Sequence, residues 1–93
     1  MKARAVVRFI GRVQGVFFRA NTREKALELG LTGWVKNELD GSVVAVFEGE
    51  KEKIDEIIEW CKSGGIPLAR VDKVEIKWEP YTGSFRTFEI KYY

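Results

Sequence analysis

The 93-residue chain contains no histidine, the side chain most often used for proton transfer near neutral pH and a frequent metal ligand. It has one cysteine, Cys61, so no disulfide framework can hold the fold. No stretch approaches the roughly 18 apolar residues that would span a membrane. The segment MKARAVVRFIGRV is broken by Arg4, Arg8 and Arg12, which excludes the apolar run of a signal peptide. Charge of one sign is also lacking. Sixteen basic residues face fourteen acidic ones, and the net charge of +2 is too small to demand a polyanionic partner. Together these absences predict a reduced, cytoplasmic protein without membrane or nucleic-acid partners. Side-chain amides are scarce as well, since Gln14, Asn21 and Asn37 are the only ones. Few amides beside abundant Glu and Lys is a pattern found in hyperthermophile proteins.

What is present is ordinary globular material, 45% hydrophobic and 32% charged. The length fits one domain over residues 1–93, with no linker, repeat or low-complexity segment. ARAVVRFI (3–10) reads as a strand. Phe18, Thr22, Ala26 and Leu29 recur at helical spacing, with Gly30 placed to end that helix. GWVKNE (33–38) and SVVAVFEG (42–49) read as strands joined through LDG, a hairpin signal. Ile54, Ile57, Ile58 and Cys61 mark the apolar face of a second helix that stops at Gly64-Gly65. RVDKVEIKWE (70–79) alternates, placing Val71, Lys73 and Glu75 opposite Asp72, Val74, Ile76 and Trp78. FRTFEIKYY supplies a last short strand after Pro80. Trp34, Trp60 and Trp78, with Phe9, Phe47 and Phe88, are expected to be core and helix-packing residues, and the two terminal tyrosines to finish a strand or rest on the surface. The order βαββαβ plus one strand predicts an α/β two-layer sandwich of the ferredoxin-like kind. Its sheet is mostly antiparallel, with both helices on one face.

Two segments carry chemistry. In GRVQGVFFR (11–19), Gly11 and Gly15 remove side chains where the first strand hands over to the first helix. The backbone there can curl so that several N–H groups point into one hollow beside the positive end of a helix. Arg19, in the first helical turn, adds a planar fork able to grip two oxygens. A tetrahedral dianion such as phosphate suits these features. By itself such a glycine pair is more often a turn than a ligand site. It is not a nucleotide P-loop, because no Gly-Lys-Ser/Thr follows, nor a dinucleotide fingerprint, because Phe18 stands where the third glycine belongs. The second segment, GWVKN (33–37), ends on Asn37, a residue that is poor strand material. The adjacent turn already has Asp40-Gly41, so Asn37 is not needed to make it. A carboxamide both donates and accepts, and can therefore hold a water molecule in a fixed orientation without changing charge.

GRVQGVFFR together with GWVKN resembles the paired signature of the acylphosphatase family, and the resemblance runs across essentially the whole chain. One departure, Phe9 where an aliphatic residue is expected, concerns packing rather than chemistry. The resemblance implies a small ferredoxin-like enzyme that hydrolyses the carboxyl–phosphate bond of acyl phosphates, with no metal or organic cofactor. It assigns phosphate binding to Arg19 and, mainly through backbone amides, to Arg12, Val13, Gln14, Gly15, Val16, Phe17 and Phe18. It assigns orientation of the attacking water to Asn37. Inorganic phosphate is then the product and an expected competitive inhibitor, and a monomer suffices. Whether the Gln14 amide shapes the turn or touches ligand stays open.

The residues present suit that chemistry. Cys61 lies on an apolar helix face without the arginine a cysteine phosphatase needs, so it reads as a structural thiol. Asp40, Asp55 and Asp72 fall in a turn, a helix and a strand, without metal-ligand spacing. An acyl phosphate releases a carboxylate whose conjugate acid has a pKa of about 4, so the leaving group needs no proton. Positioning and charge stabilisation can then carry most of the catalysis. Arg8, Arg12, Arg23 and Lys36 are expected to be solvated surface charges. The alternative is a non-catalytic binding module, for RNA or for sensing a phosphate ligand. RNA-recognition domains share the element order, but their third strand needs Lys/Arg-Gly-aromatic with further aromatics, and SVVAVFEG offers only Phe47.

Overall fold

The computed structural model describes residues 1–92. The elements are β1 (Lys2–Arg12), α1 (Phe18–Glu28), β2 (Thr32–Asn37), β3 (Val43–Glu50), α2 (Lys51–Lys62), β4 (Arg70–Glu79) and β5 (Phe88–Lys91). One sheet holds all five strands in the order β4-β1-β3-β2-β5. Every neighbouring pair is antiparallel except β2 and β5, which run parallel. α1 packs on β2 and β5, α2 on β1, β3 and β4, and the helices touch each other. Both therefore cover the same face, as the element order predicts.

That face is the core. In β1 and β3, Ala5, Val7 and Phe9 pair with Phe47, Ala45 and Val43, and all six are fully buried. Val35 and Phe88 continue the layer into β2 and β5. Ile54, Ile57, Ile58 and Cys61 descend from α2, and Phe18, Thr22 and Ala26 from α1. The Phe9 and Phe18 rings meet at 5.1 Å between centroids, and Phe47 stacks on Phe88 at 5.5 Å.

Two expectations fail. Val71 and Val74 do not face opposite ways. Ile10 pairs with Lys73 but Gly11 with Val71, so Asp72 is an extra residue bulged out of β4. The bulge returns both valines to the core. Gly11 permits it, because a Cβ there would lie 2.2 Å from the Arg70 carbonyl oxygen. Nor do all the tryptophans pack in the core or toward a helix. Trp34 sits on the open face of the sheet, where the Lys91 ammonium lies 4.7 Å from its ring centroid. Trp78 on edge strand β4 is 41% exposed but keeps to the helix side, paired with Ala5 and with the Lys51 ammonium of α2 4.7 Å from its ring centroid. Only Trp60 packs against the helix-side core.

The connection from β4 to β5 crosses the open face, because these strands occupy opposite edges of the sheet. It is fastened there by Glu48 of β3, which is completely buried. The Glu48 carboxylate accepts hydrogen bonds from the Thr82 N–H and hydroxyl, the Gly83 N–H and Arg4. The far end of this connection delivers β5 alongside β2.

Candidate functional site

Parallel pairing of β2 with β5, in the register Trp34 to Glu89 and Lys36 to Lys91, brings both strands to an end on the same side of the sheet. The loop that leaves β1 arrives there too, because Phe9 lies beside Val43 and Val43 beside Asn37. The result is a cavity of about 290 Å³ lined by Val13, Gly15, Phe17, Phe18, Arg19, Ala20, Asn37, Ile90 and Tyr92. Arg19 and Asn37 thus stand on one pocket, although they come from different elements.

The floor is backbone. Gly15 has φ 76°, a left-handed conformation natural to glycine, and Phe17 follows it at φ 63° immediately before α1. No side chain caps α1, and no acidic residue occupies its first turn. The chain turns through residues 14–17 directly into this uncapped first turn. A curled run of donors at the positive end of a helix is an anion cradle. Arg19, the second residue of α1, projects its guanidinium over the same pocket, with its central carbon 5.0 Å from the centroid of the Tyr92 ring.

Asn37 closes β2. Its Oδ1 is buried and has no hydrogen-bond partner among the described residues. An unsatisfied buried carbonyl costs about 1–3 kcal/mol, so this carboxamide is not held there for stability. The other two amides also serve the site. Asn21 Nδ2 donates to the Phe17 carbonyl at 2.9 Å, alongside its own N–H at 3.0 Å, and so fixes the end of the loop. Gln14 Nε2 donates to the carbonyls of Glu38 at 2.7 Å and Ser42 at 2.9 Å, tying the loop to the β2–β3 hairpin. Arg8 braces that hairpin from the sheet, donating to the Ser42 hydroxyl and to Asp40. Hydrogen bonds from the Ser42 hydroxyl and N–H, with the Arg8 charge, hold the Asp40 carboxyl below its ordinary range.

Of the residues expected to bind phosphate, Val13, Gly15, Phe17, Phe18 and Arg19 line the pocket. Arg12 is the exposed last residue of β1, the Val16 side chain is buried away from the opening, and the Gln14 side chain turns to the hairpin. Ala20, Ile90 and Tyr92 line the pocket without having been expected there. Ala20 could have been found from its place in the first turn of α1. Tyr92 and Ile90 carry no local signal, because they reach the site only through parallel pairing at the far edge. Tyr93 lies outside the described residues.

Cys61 is buried, and burial pushes its thiol up to about 12, against a weak contact with the Thr22 hydroxyl, so a thiolate does not form near neutral pH. Among the described residues no group of three His, Cys, Asp or Glu side chains could hold a metal. No helix of the described residues is long and apolar enough to cross a membrane.

Known proteins resemble this chain over nearly its whole length. The family model described as Acylphosphatase matches residues 5–90. The chain is 55% identical over 93 residues to an acylphosphatase of Aeropyrum pernix, covering 99% of this chain and 89% of the relative. It is 47% identical over 91 residues to one of Pelotomaculum thermopropionicum, covering 98% of each. The crystal structure of acylphosphatase from Bacillus subtilis matches with a TM-score of 0.91 at 32% identity, over 99% of this chain and 100% of that one.

Proposed function

The chain belongs to the acylphosphatase family, and we propose that it hydrolyses acyl phosphates to carboxylate and inorganic phosphate in the pocket that Arg19 and Asn37 share. In this reading the N–H groups from Val13 to Ala20 and the Arg19 fork take the non-bridging phosphoryl oxygens. Asn37 orients a water molecule in line with the bond to be broken. The water oxygen bonds to phosphorus, the bond from phosphorus to the acyl oxygen breaks, and its electron pair leaves on the carboxylate. The water's proton passes to a phosphoryl oxygen, so neither a general acid nor a metal is needed. The observation that carries this reading is the convergence of an uncapped helix N-terminus, a guanidinium and a carboxamide on one cavity.

We further read residues 1–93 as one catalytic unit, working as a cytoplasmic monomer, with inorganic phosphate as competitive inhibitor. The test is an assay in EDTA with acetyl phosphate beside p-nitrophenyl phosphate, whose leaving group is poorer. Turnover of the first, and little of the second, is expected. Arg19→Gln abolishes both turnover and phosphate inhibition. Asn37→Ala leaves phosphate inhibition nearly unchanged while kcat drops about a hundredfold to a thousandfold. Equal losses in both measurements for Asn37→Ala would make it a binding or structural group instead.

A further inference from the structure

The loop donors of the pocket are fixed by the backbone, whereas the Arg19 guanidinium rides on a long, rotatable stem. An arginine left to swing loses that freedom when it grips an anion, at a cost in affinity. Whatever holds the guanidinium before phosphate arrives therefore bears on how tightly phosphate binds.

Arg4, Arg8 and Arg70 each lean on a carboxylate within 3.2 Å. Arg19 lies against an aromatic face instead, its central carbon 5.0 Å from the centroid of the Tyr92 ring. The two kinds of partner differ in what they take from the cation. A carboxylate occupies the N–H fork and offsets the charge, so it competes with phosphate for both. A ring attracts the cation through its quadrupole and leaves the in-plane N–H donors free.

The fold brings this ring from the far end of the chain. Ile90 of β5 pairs with Val35 of β2 and packs against the core. Tyr92, two residues on, leaves the strand toward the same side and lines the pocket beside Arg19. α1, which opens with Phe18 and Arg19, packs on β5. Burial does not account for Tyr92, which is 74% exposed. Arg19 is half-buried, so water screens the contact only in part.

We propose that Tyr92 is a positioning residue of the phosphate site, its ring face holding the Arg19 guanidinium over the pocket with the N–H donors left for the ligand. This inference rests on the phosphate-binding role proposed for Arg19 above and adds what keeps that group in place.

The experiment measures the Kd of inorganic phosphate by calorimetry, and kcat and KM for acetyl phosphate, in the full chain. The variants are Tyr92→Phe, Tyr92→Leu and a series with increasingly fluorinated phenylalanines in place of Tyr92. Tyr92→Phe keeps the ring face and is expected to bind phosphate as the unaltered protein does. Tyr92→Leu should weaken phosphate about twofold to fivefold. Fluorination drains negative charge from the ring face while barely changing its shape, so phosphate affinity should fall stepwise along the series. KM should rise in step with Kd while kcat moves less, because the arginine grips phosphoryl oxygens in the bound substrate as well as in the transition state. A loss in Tyr92→Leu with no graded response to fluorine would overturn the proposal, since the ring would then only fill space. Phosphate affinity unmoved throughout overturns it too, leaving the role of Arg19 intact. Failure of the unaltered protein to bind phosphate overturns it together with the reading it rests on.

Discussion

At the scale of single residues the site is built from groups that stability alone would not select. Phe17 holds φ 63° with its ring mostly in water. Left-handed backbone costs a residue with a Cβ about 1–2 kcal/mol, and this ring recovers little of that by burial. Phe17→Gly is therefore expected to stabilise the fold by about 1 kcal/mol, a rise of about 4–8 °C in Tm for a domain of this size. Calorimetry checks it, and an unchanged or lower Tm would mean that the ring contributes packing its exposure does not show. Arg19 and Asn37 could be found in the sequence because each is anomalous where it stands: an arginine opening a helix after paired glycines, and an asparagine ending a strand whose turn does not need it. The resemblance brings in Phe17 only as a backbone donor, and Tyr92 not at all. An exposed aromatic looks like a core aromatic until backbone angle and neighbours are known.

At the scale of elements, the pocket depends on holding the β1–α1 loop in register with the β2–β3 hairpin. Gln14 makes that link through two carbonyls of the hairpin, and one of them belongs to the residue following Asn37. The sequence leaves open whether its amide shapes the turn or touches ligand; the structure turns it to the hairpin. Gln14→Ala is expected to cost about 1–2 kcal/mol in stability. It should also lower kcat for acetyl phosphate at least tenfold, since displacement of a positioning group by about 1 Å can cost a hundredfold. Phosphate inhibition should change less, because the loop keeps its own donors. If inhibition weakens as much as kcat falls, Gln14 shapes the loop alone. Helices and antiparallel strands were legible because apolar periodicity is local. Two features were not, the bulge at Asp72 and the parallel pairing of β5 with β2. Each depends on the partner strand, and the second is what carries Tyr92 to the site.

At the scale of the whole molecule, the long connection from β4 must cross the sheet before β5 can reach the pocket, and its fastening is a carboxylate. Glu48 is fully buried, and burial pushes its carboxyl up. Hydrogen bonds from the Thr82 hydroxyl and N–H, from Arg4 and from the Gly83 N–H outweigh that and hold it below its ordinary 4.5. A group depressed in the folded state contributes stability that is fully present above the unfolded value. That stability is lost as pH falls through the folded value, because the unfolded chain binds the proton more readily. Tm should therefore be nearly flat above about pH 5.5 and decline below the ordinary 4.5. Glu48→Ala leaves Arg4 and two backbone donors facing an emptied site, and should cost roughly 3 kcal/mol at pH 7. The decisive quantity is the gap in Tm between the unaltered protein and the variant. If the crossing is pinned by charge, that gap is widest at neutral pH and narrows as acid protonates Glu48. A gap of the same size at pH 3 and pH 7 would mean that Glu48 fills space rather than holding the strand that completes the pocket.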